Sequence, residues 1–278
     1  MTNPLTRLFI IAAIIGALPN GVRGQVRQDS VPVYLSLKVF AVEEEIHVFG
    51  YNSNYGPLSA YAQLEENDSL VLERVIPPRD SLLFFNIEVA NRDKISIADS
   101  LNKLLNFGYF LGDQNTVKPD SNYLYRLPFK KGKTYRINQG ANGKFSHNHP
   151  VSRYAIDFGL KIGDPVYAAR GGLIVSAIDW FTRNGGRELI DFANRVVILH
   201  DDGTIASYVH LAPNGVLVRE GDHVTRGQVI ARSGNTGFTR GPHLHFVVRK
   251  EKDISIPIRF EGYENTILET GNKVHRRK

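Results

Sequence analysis

Gly241-Pro242-His243-Leu244-His245-Phe246 opens a run that alternates like a β-strand as far as Val248. Residues two apart on a strand point to the same side. His243 and His245 therefore project together, while Leu244 and Phe246 face the other way into a core. Two imidazoles on one face suit a divalent metal, zinc above all. A His-x-His pair is also a short motif that arises by chance, so its company matters. Seven of the nine histidines fall between residues 147 and 245, and the same stretch supplies an aspartate on a strand-like segment.

That aspartate lies in Arg153-Tyr154-Ala155-Ile156-Asp157-Phe158. Alternation sets Tyr154, Ile156 and Phe158 on one face, and Ala155 and Asp157 on the other. A carboxylate among large apolar neighbours needs a partner, because a lone buried charge is costly. A half-wet sheet satisfies it with solvent; a bound metal is the sharper alternative. Tyr208-Val209-His210-Leu211 closes another strand. Here alternation predicts His210 on the face of Tyr208, with Val209 and Leu211 packed opposite. Taken alone, His210 reads as a hydrogen-bonded core histidine. Gly143-Lys144-Phe145-Ser146-His147-Asn148-His149-Pro150 adds two more histidines. His200 and His223 read as surface or turn residues.

The wider pattern is all-β. From about 136 to 260, short β-segments alternate with glycine turns: Tyr154 to Phe158, Val166 to Ala169, Leu173 to Ala177, Arg195 to His200, Thr204 to His210, and His243 to Val248. Asp202-Gly203 is a hairpin signal, and Ser233 to Gly241 reads as a loop bordering a cleft. Upstream, Val31, Val33, Leu35, Leu37 and Val39 are spaced to line one buried face, and Pro32 marks an edge strand. His47 to Tyr51 and Leu82 to Val89 are further strands. Ile97, Leu101, Leu104 and Leu105 have helical spacing and predict a short helix. The domain reading is a small N-terminal β-sandwich over 25–115, a polar connector over 116–135, an antiparallel β-sheet domain over 136–260 that holds the metal, and a basic tail over 261–278.

Residues 1–24 read as a signal peptide. Arg7 precedes an apolar run from Leu8 to Leu18, followed by Pro19-Asn20-Gly21 and small residues up to Gly24. The apolar run is shorter than the roughly 20 residues a bilayer span needs. The chain has no cysteine, which excludes disulfides and thiolate zinc sites. A secreted chain without cysteine suits the periplasm, the cell envelope or the medium of a bacterium. There are 34 Lys+Arg and 28 Asp+Glu; removing Arg7 and Arg23 with the leader leaves 32 against 28. Lys273, Arg276, Arg277 and Lys278 carry four of those positive charges, so the tail offers attraction to an anionic wall or surface. No nucleic-acid motif is present.

Taken together, these segments resemble the lysostaphin/LytM family of zinc metallopeptidases. The matching pieces are Ser146-His147, Tyr154 to Phe158, Gly163 to Arg170, Asn194-Arg195-Val196, His200 to Thr204, Tyr208 to Leu211, Gly227 to Ile230, Ser233 to Gly237 and Gly241 to Phe246. They occur in the family's order over about 136–250. The resemblance implies that His147, Asp157 and His245 bind Zn2+, leaving a fourth position for water. It implies that His210 and His243 orient or deprotonate that water and stabilise the developing oxyanion. Well-known members keep the first His and the Asp closer together. The branch that opens with Phe-Ser-His has the longer gap seen here, and His149 is the alternative first ligand. The implied function is a secreted endopeptidase acting on the peptides of peptidoglycan. The alternative is a non-catalytic module that binds the wall or activates an amidase.

Overall fold

The computed structural model describes residues 31–42, 44–64, 69–89 and 104–277. The expected signal peptide over 1–24 lies outside them, as do Ile97 and Leu101 of the expected helix. Two compact units are formed, Pro32–Asp113 and Gln114–Lys278. Among the described residues no helix is long and apolar enough to cross a membrane.

The first unit contains β1 (Leu35–Val42), β2 (Glu45–Asn52), β3 (Leu58–Leu64), β4 (Leu70–Ile76), β5 (Ser81–Glu88) and β6 (Leu105–Leu111). They form two antiparallel three-stranded sheets, ordered β1-β2-β5 and β4-β3-β6. One apolar cluster draws on both: Leu35, Leu37, Ile46, Val48 and Phe84 from the first, Leu58, Ala60, Ile76 and Phe107 from the second. Each sheet buries one face against the other, as a sandwich does.

Two sequence expectations change here. The first strand begins at Leu35, paired with Asn52, and Val33 is 45% exposed. Pro32 has no N–H to give to a ladder and restricts the residue before it. Leu105, at the end of the helical spacing, instead starts strand β6 along β3. Pairing with β3 and burial of Phe107 override a weak local period.

The second unit contains β7 (Leu124–Tyr125), β8 (Thr134–Gln139), β9 (Ile156–Phe158), β10 (Pro165–Tyr167), β11 (Gly172–Ile178), β12 (Asn184–Gly185), β13 (Arg195–Leu199), β14 (Ile205–Val209), β15 (Leu211–Val216), β16 (His223–Val224), β17 (Val229–Ser233), β18 (Gly237–Phe238), β19 (Leu244–Arg249), β20 (Arg259–Phe260) and β21 (Lys273–His275). Its frame is an eight-stranded sheet ordered β16-β11-β13-β14-β19-β9-β8-β21. The sheet β10-β17-β15 is also antiparallel, and two short parallel pairs, β12-β18 and β20-β7, complete the unit. The core holds Phe158, Val196, Ile198, Tyr208, Leu244 and Phe246.

Residues 116–135 are not a free link. Tyr125, Leu127 and Phe129 are buried in this core, and Phe129 packs edge-on against Tyr135 and Phe158. Nor is 261–278 a loose tail. Leu268 and Val274 join the same core, and β21 pairs with β8 at the sheet edge. The Arg276 guanidinium lies over the Tyr167 ring and donates to the Phe129 carbonyl. Charge counts draw the eye to Lys273, Arg276 and Arg277, whereas Val274 between them supplies the apolar surface that fixes the segment.

If residues 116–135 are core, Phe129→Ala lowers the unfolding free energy by about 3–5 kcal/mol. A denaturant titration checks this; a change within about 0.5 kcal/mol would mean a surface link.

Candidate metal centre

The site is built on the pairing of β9 with β19, which sets His245 directly opposite Asp157. Directly paired residues share a face, with Cβ atoms roughly 5 Å apart. The flanking pairs Leu244↔Phe158 and Phe246↔Ile156 turn their side chains into the core on the other side. His245 Nδ1 lies 2.8 Å from Asp157 Oδ1.

His147 reaches the same oxygen from a turn. Its Nε2 is 3.3 Å from Asp157 Oδ1, and the residue is fully buried. Its Nδ1–H donates to the Gly140 carbonyl at 2.9 Å. That bond fixes the tautomer and leaves a lone pair on Nε2, which has no hydrogen-bond partner. The carbonyl can approach because residue 140 is glycine: a Cβ there would stand 2.3 Å from the Leu268 carbonyl oxygen. His149, two residues on, is exposed and does not join the cluster.

His243 brings its Nε2 to 3.7 Å from Asp157 Oδ1. Its Nδ1–H donates to the Gly241 carbonyl at 2.8 Å. His210 arrives by a route that alternation misses. Val209, not His210, pairs with His245, and Tyr208 pairs with Phe246 on the core face. A regular strand would carry His210 to the side of Tyr208. Instead β14 ends at Val209, and His210 takes a left-handed backbone with φ 64°. This swings its ring to 4.6 Å from that of His243 and 5.9 Å from that of His245. Non-glycine residues seldom adopt that conformation, and functional sites are where they cluster. Its Nδ1–H donates to the Thr236 carbonyl at 2.7 Å, so Nε2 is again the open nitrogen.

The electrostatics call for a cation. Burial alone would raise the Asp157 carboxyl, but the His147 and His245 imidazoles packed against it outweigh this and hold the group well below the usual carboxylate range. Burial pushes the His245 imidazole down, against its bond to Asp157. Burial first, then the competition of the adjacent His243 and His245 imidazoles for a proton, push His210 down to about 3. His210 and His245 are therefore neutral beside an ionised carboxylate. Ligand atoms of His147, Asp157 and His245 all lie within 4.8 Å of one another. Zinc bonds of about 2.1 Å in a tetrahedron set donors roughly 3.4 Å apart, so the 2.8 and 3.3 Å separations fit such an ion. The lone pair on His147 Nε2, buried against a carboxylate, fits the same ion. Two imidazoles and one carboxylate leave a coordination position open, as a catalytic zinc site requires.

Comparison with known proteins places the second unit in a family. The profile of Peptidase family M23 matches residues 151–257, a span that holds Asp157, His210, His243 and His245 and begins just after His147. Lipoprotein NlpD of Yersinia enterocolitica is 35% identical over 98 residues, which cover 35% of this chain and 90% of that protein. The chain belongs to peptidase family M23. Peptidoglycan DD-endopeptidase ShyA of Vibrio cholerae is 40% identical over 103 residues, covering 35% of this chain and 21% of ShyA. Lysostaphin of Staphylococcus simulans is 40% identical over 94 residues, covering 34% of this chain and 17% of lysostaphin. The chain thus matches about a fifth of the length of these two relatives. Among solved structures, the catalytic domain of that lysostaphin aligns with a TM-score of 0.32 at 33% identity, covering 46% of this chain and 88% of the other.

This M23 centre rests on polar groups that strand patterning did not single out. Gln139 pairs with Asp157 across β8 and β9, next to a bulge. Its Nε2 donates to Asp157 Oδ2 at 3.2 Å and to Ser146 Oγ at 2.7 Å, while its Oε1 accepts from the N–H of Phe145 and of Ser146. One amide thus ties the carboxylate to the turn that carries His147 and occupies the oxygen turned away from the cluster. Thr236 and Asn194 support His210: the Thr236 hydroxyl donates to the Leu211 carbonyl and accepts the Asn194 N–H. The segment 233–241 therefore does more than border a cleft, because its carbonyls fix the tautomers of both His210 and His243.

His223 is exposed, as the sequence suggests, but His200 is buried. Its Nδ1–H donates to the Gly171 carbonyl at 2.7 Å, and its ring meets that of Tyr125 edge-on. It lies at the opposite end of β13 and β14 from His210 and takes no part in the cluster. The polar run His200-Asp201-Asp202-Gly203 signals a turn, while the 120s segment that covers it is remote in sequence.

Gln139→Leu lowers zinc affinity about 10–100-fold, read by competition with a chromophoric chelator; unchanged affinity would remove Gln139 from the support of the centre. Burial sets the His200 imidazole at about 4 against an ordinary 6.5. Between these values the unfolded chain takes a proton that the native one refuses, so the stability contribution is full above 6.5 and is lost as pH falls towards 4. The loss is roughly 3 kcal/mol. Unfolding free energies of wild type and His200→Asn, compared from pH 7 to 4, show a shallower slope in the variant; parallel slopes would contradict the assignment.

Proposed function

We propose that this protein is an exported zinc metalloendopeptidase that hydrolyses peptide bonds in the stems or cross-links of peptidoglycan. The observation that carries this reading is the constellation itself. His147, Asp157 and His245 converge, and His210 and His243 present open Nε2 atoms beside them. The names of ShyA, a peptidoglycan DD-endopeptidase, and of a glycyl-glycine endopeptidase from Staphylococcus capitis support the substrate class. Export rests on the leader-like residues 1–24. The alternative of a non-catalytic wall-binding module gains nothing from a chain that keeps all five residues.

In this reading His147 Nε2, Asp157 Oδ1 and His245 Nδ1 hold the metal. Zinc supplies Lewis acidity there, lowering the pKa of water to about 7 and polarising a carbonyl. His210 and His243 handle the protons. Their Nδ1 hydrogens are committed to the carbonyls of Thr236 and Gly241, so each Nε2 is an acceptor. Burial keeps His210 neutral at rest, with its Nε2 lone pair free. As water adds to the scissile carbonyl, a proton passes to one of these Nε2 atoms. The imidazolium so formed stabilises the oxyanion, then gives the proton to the leaving amine as the C–N bond breaks.

Incubating the zinc-loaded chain with purified sacculi, with and without a chelator, tests the proposal. Chelator-sensitive release of muropeptides, identified by mass spectrometry, is the expected result; no release by zinc-loaded protein would overturn it. His245→Ala loses both zinc and activity. His210→Ala keeps most of its zinc and loses about 10²–10⁴ in turnover; wild-type turnover in that variant would refute the proton-transfer role.

A further inference from the structure

The two segments that deliver histidines to the centre meet again at its rim. Phe145 stands two residues before His147, and Phe238 and Arg240 stand five and three residues before His243. The rings of Phe145 and Phe238 lie 5.5 Å apart at 37°. The Arg240 guanidinium covers Phe145 at 3.8 Å from the ring centroid. Both segments are anchored to the site: the Phe145 N–H donates to Gln139, which also holds Asp157, and the Thr239 hydroxyl is 3.3 Å from His243 Nδ1. The stack is therefore fixed relative to the cluster.

The stack faces solvent. Phe145 is 40% exposed and Arg240 is exposed. Among the described residues Arg240 makes no ion pair and no hydrogen bond, and its guanidinium lies over the Phe145 ring. Stacking uses the face of a guanidinium and leaves its N–H edge open to a planar acceptor. Neither 143–149 nor 235–241 contains an acidic residue that would compete. Lys144 adds charge beside Phe145, and Arg183 adds more where its carbonyl receives the Gly237 N–H.

Resting on the endopeptidase reading, we propose that Arg240, backed by Phe145 and Phe238, is a specificity element that binds a free carboxylate of the peptide substrate. A carboxylate accepts two parallel N–H bonds from the guanidinium edge. A carboxamide at the same place offers one acceptor and no charge. The aromatic pair holds the guanidinium in one orientation and gives the neighbouring peptide an apolar surface.

The test uses the zinc-loaded chain and pairs of synthetic stem peptides, in which each free carboxylate is exchanged in turn for a carboxamide. Calorimetric Kd values and cleavage rates are measured for wild type and Arg240→Gln. In one pair the wild type favours the carboxylate by about tenfold, and the variant brings the ratio to about one. Equal or unmeasurable affinity across every pair, or a preference that survives in Arg240→Gln, overturns the proposal. Zinc content and thermal melting of the variant establish that its fold is intact, since the substituted side chain is exposed. Failure of the endopeptidase reading looks different: no peptide is cleaved by either protein, whatever the Kd ratio.

Discussion

A single carboxylate organises the second unit. Asp157 is buried in the middle strand of β8-β9-β19, in a place where an isolated charge would cost several kcal/mol. Everything around it answers that cost. His245 faces it across a strand pair, His147 reaches it from a turn, His243 stands behind, and Gln139 takes its second oxygen. The imidazole tautomers follow from the same arrangement. Three backbone carbonyls, of Gly140, Thr236 and Gly241, each accept an Nδ1–H and so point a nitrogen lone pair of His147, His210 and His243 at the cluster. Backbone carbonyls are well suited to this task, since the sheet frame fixes them and they do not titrate.

The sheet gives this arrangement its rigidity. Leu244, Phe246, Phe158 and Tyr208 lock the opposite face of the same strands into the core. A one-residue slip between β9 and β19 would bury His245 and expose Phe246, so the apolar pattern and the metal site enforce the same register. The surrounding segments close the core from both ends of the unit: Phe129 from before the sheet, Val274 from its last strand, β21. This accounts for the failure of 116–135 and 261–278 to behave as a connector and a tail. Polar composition marked them as surface, and a few apolar residues spaced among the charges made them part of the fold.

The rim carries a different logic. Phe145, Phe238 and Arg240 add nothing to the neutralisation of Asp157, and they keep their apolar and cationic surfaces towards solvent. Their positions follow from the histidines beside them, because the segment that supplies His147 also supplies Phe145, and the segment that leads to His243 also supplies Phe238 and Arg240. In this way the geometry that gathers the reacting groups also sets what lies next to them.

Much of this was legible in the chain. Alternation through His243-Leu244-His245-Phe246 and Ile156-Asp157-Phe158 fixed which residues face the core, because a strand has a period of two whatever it pairs with; Tyr154, expected on the same face, lies in a turn before the strand. The resemblance also singled out His147, Asp157, His210, His243 and His245, which the fold brings together. Alternation failed at His210, where a left-handed residue breaks the period, and at β6, where a helical spacing yielded to pairing with β3. Contacts between remote segments lay beyond the sequence: Gln139 on Asp157, Thr236 on His210, and Arg240 on Phe145. Local pattern determined the faces of strands, since that depends only on neighbours along the chain. Which nitrogen of each histidine is open, and which of His147 and His149 meets Asp157, was decided by tertiary structure, since both depend on carbonyls and strands brought together only by folding.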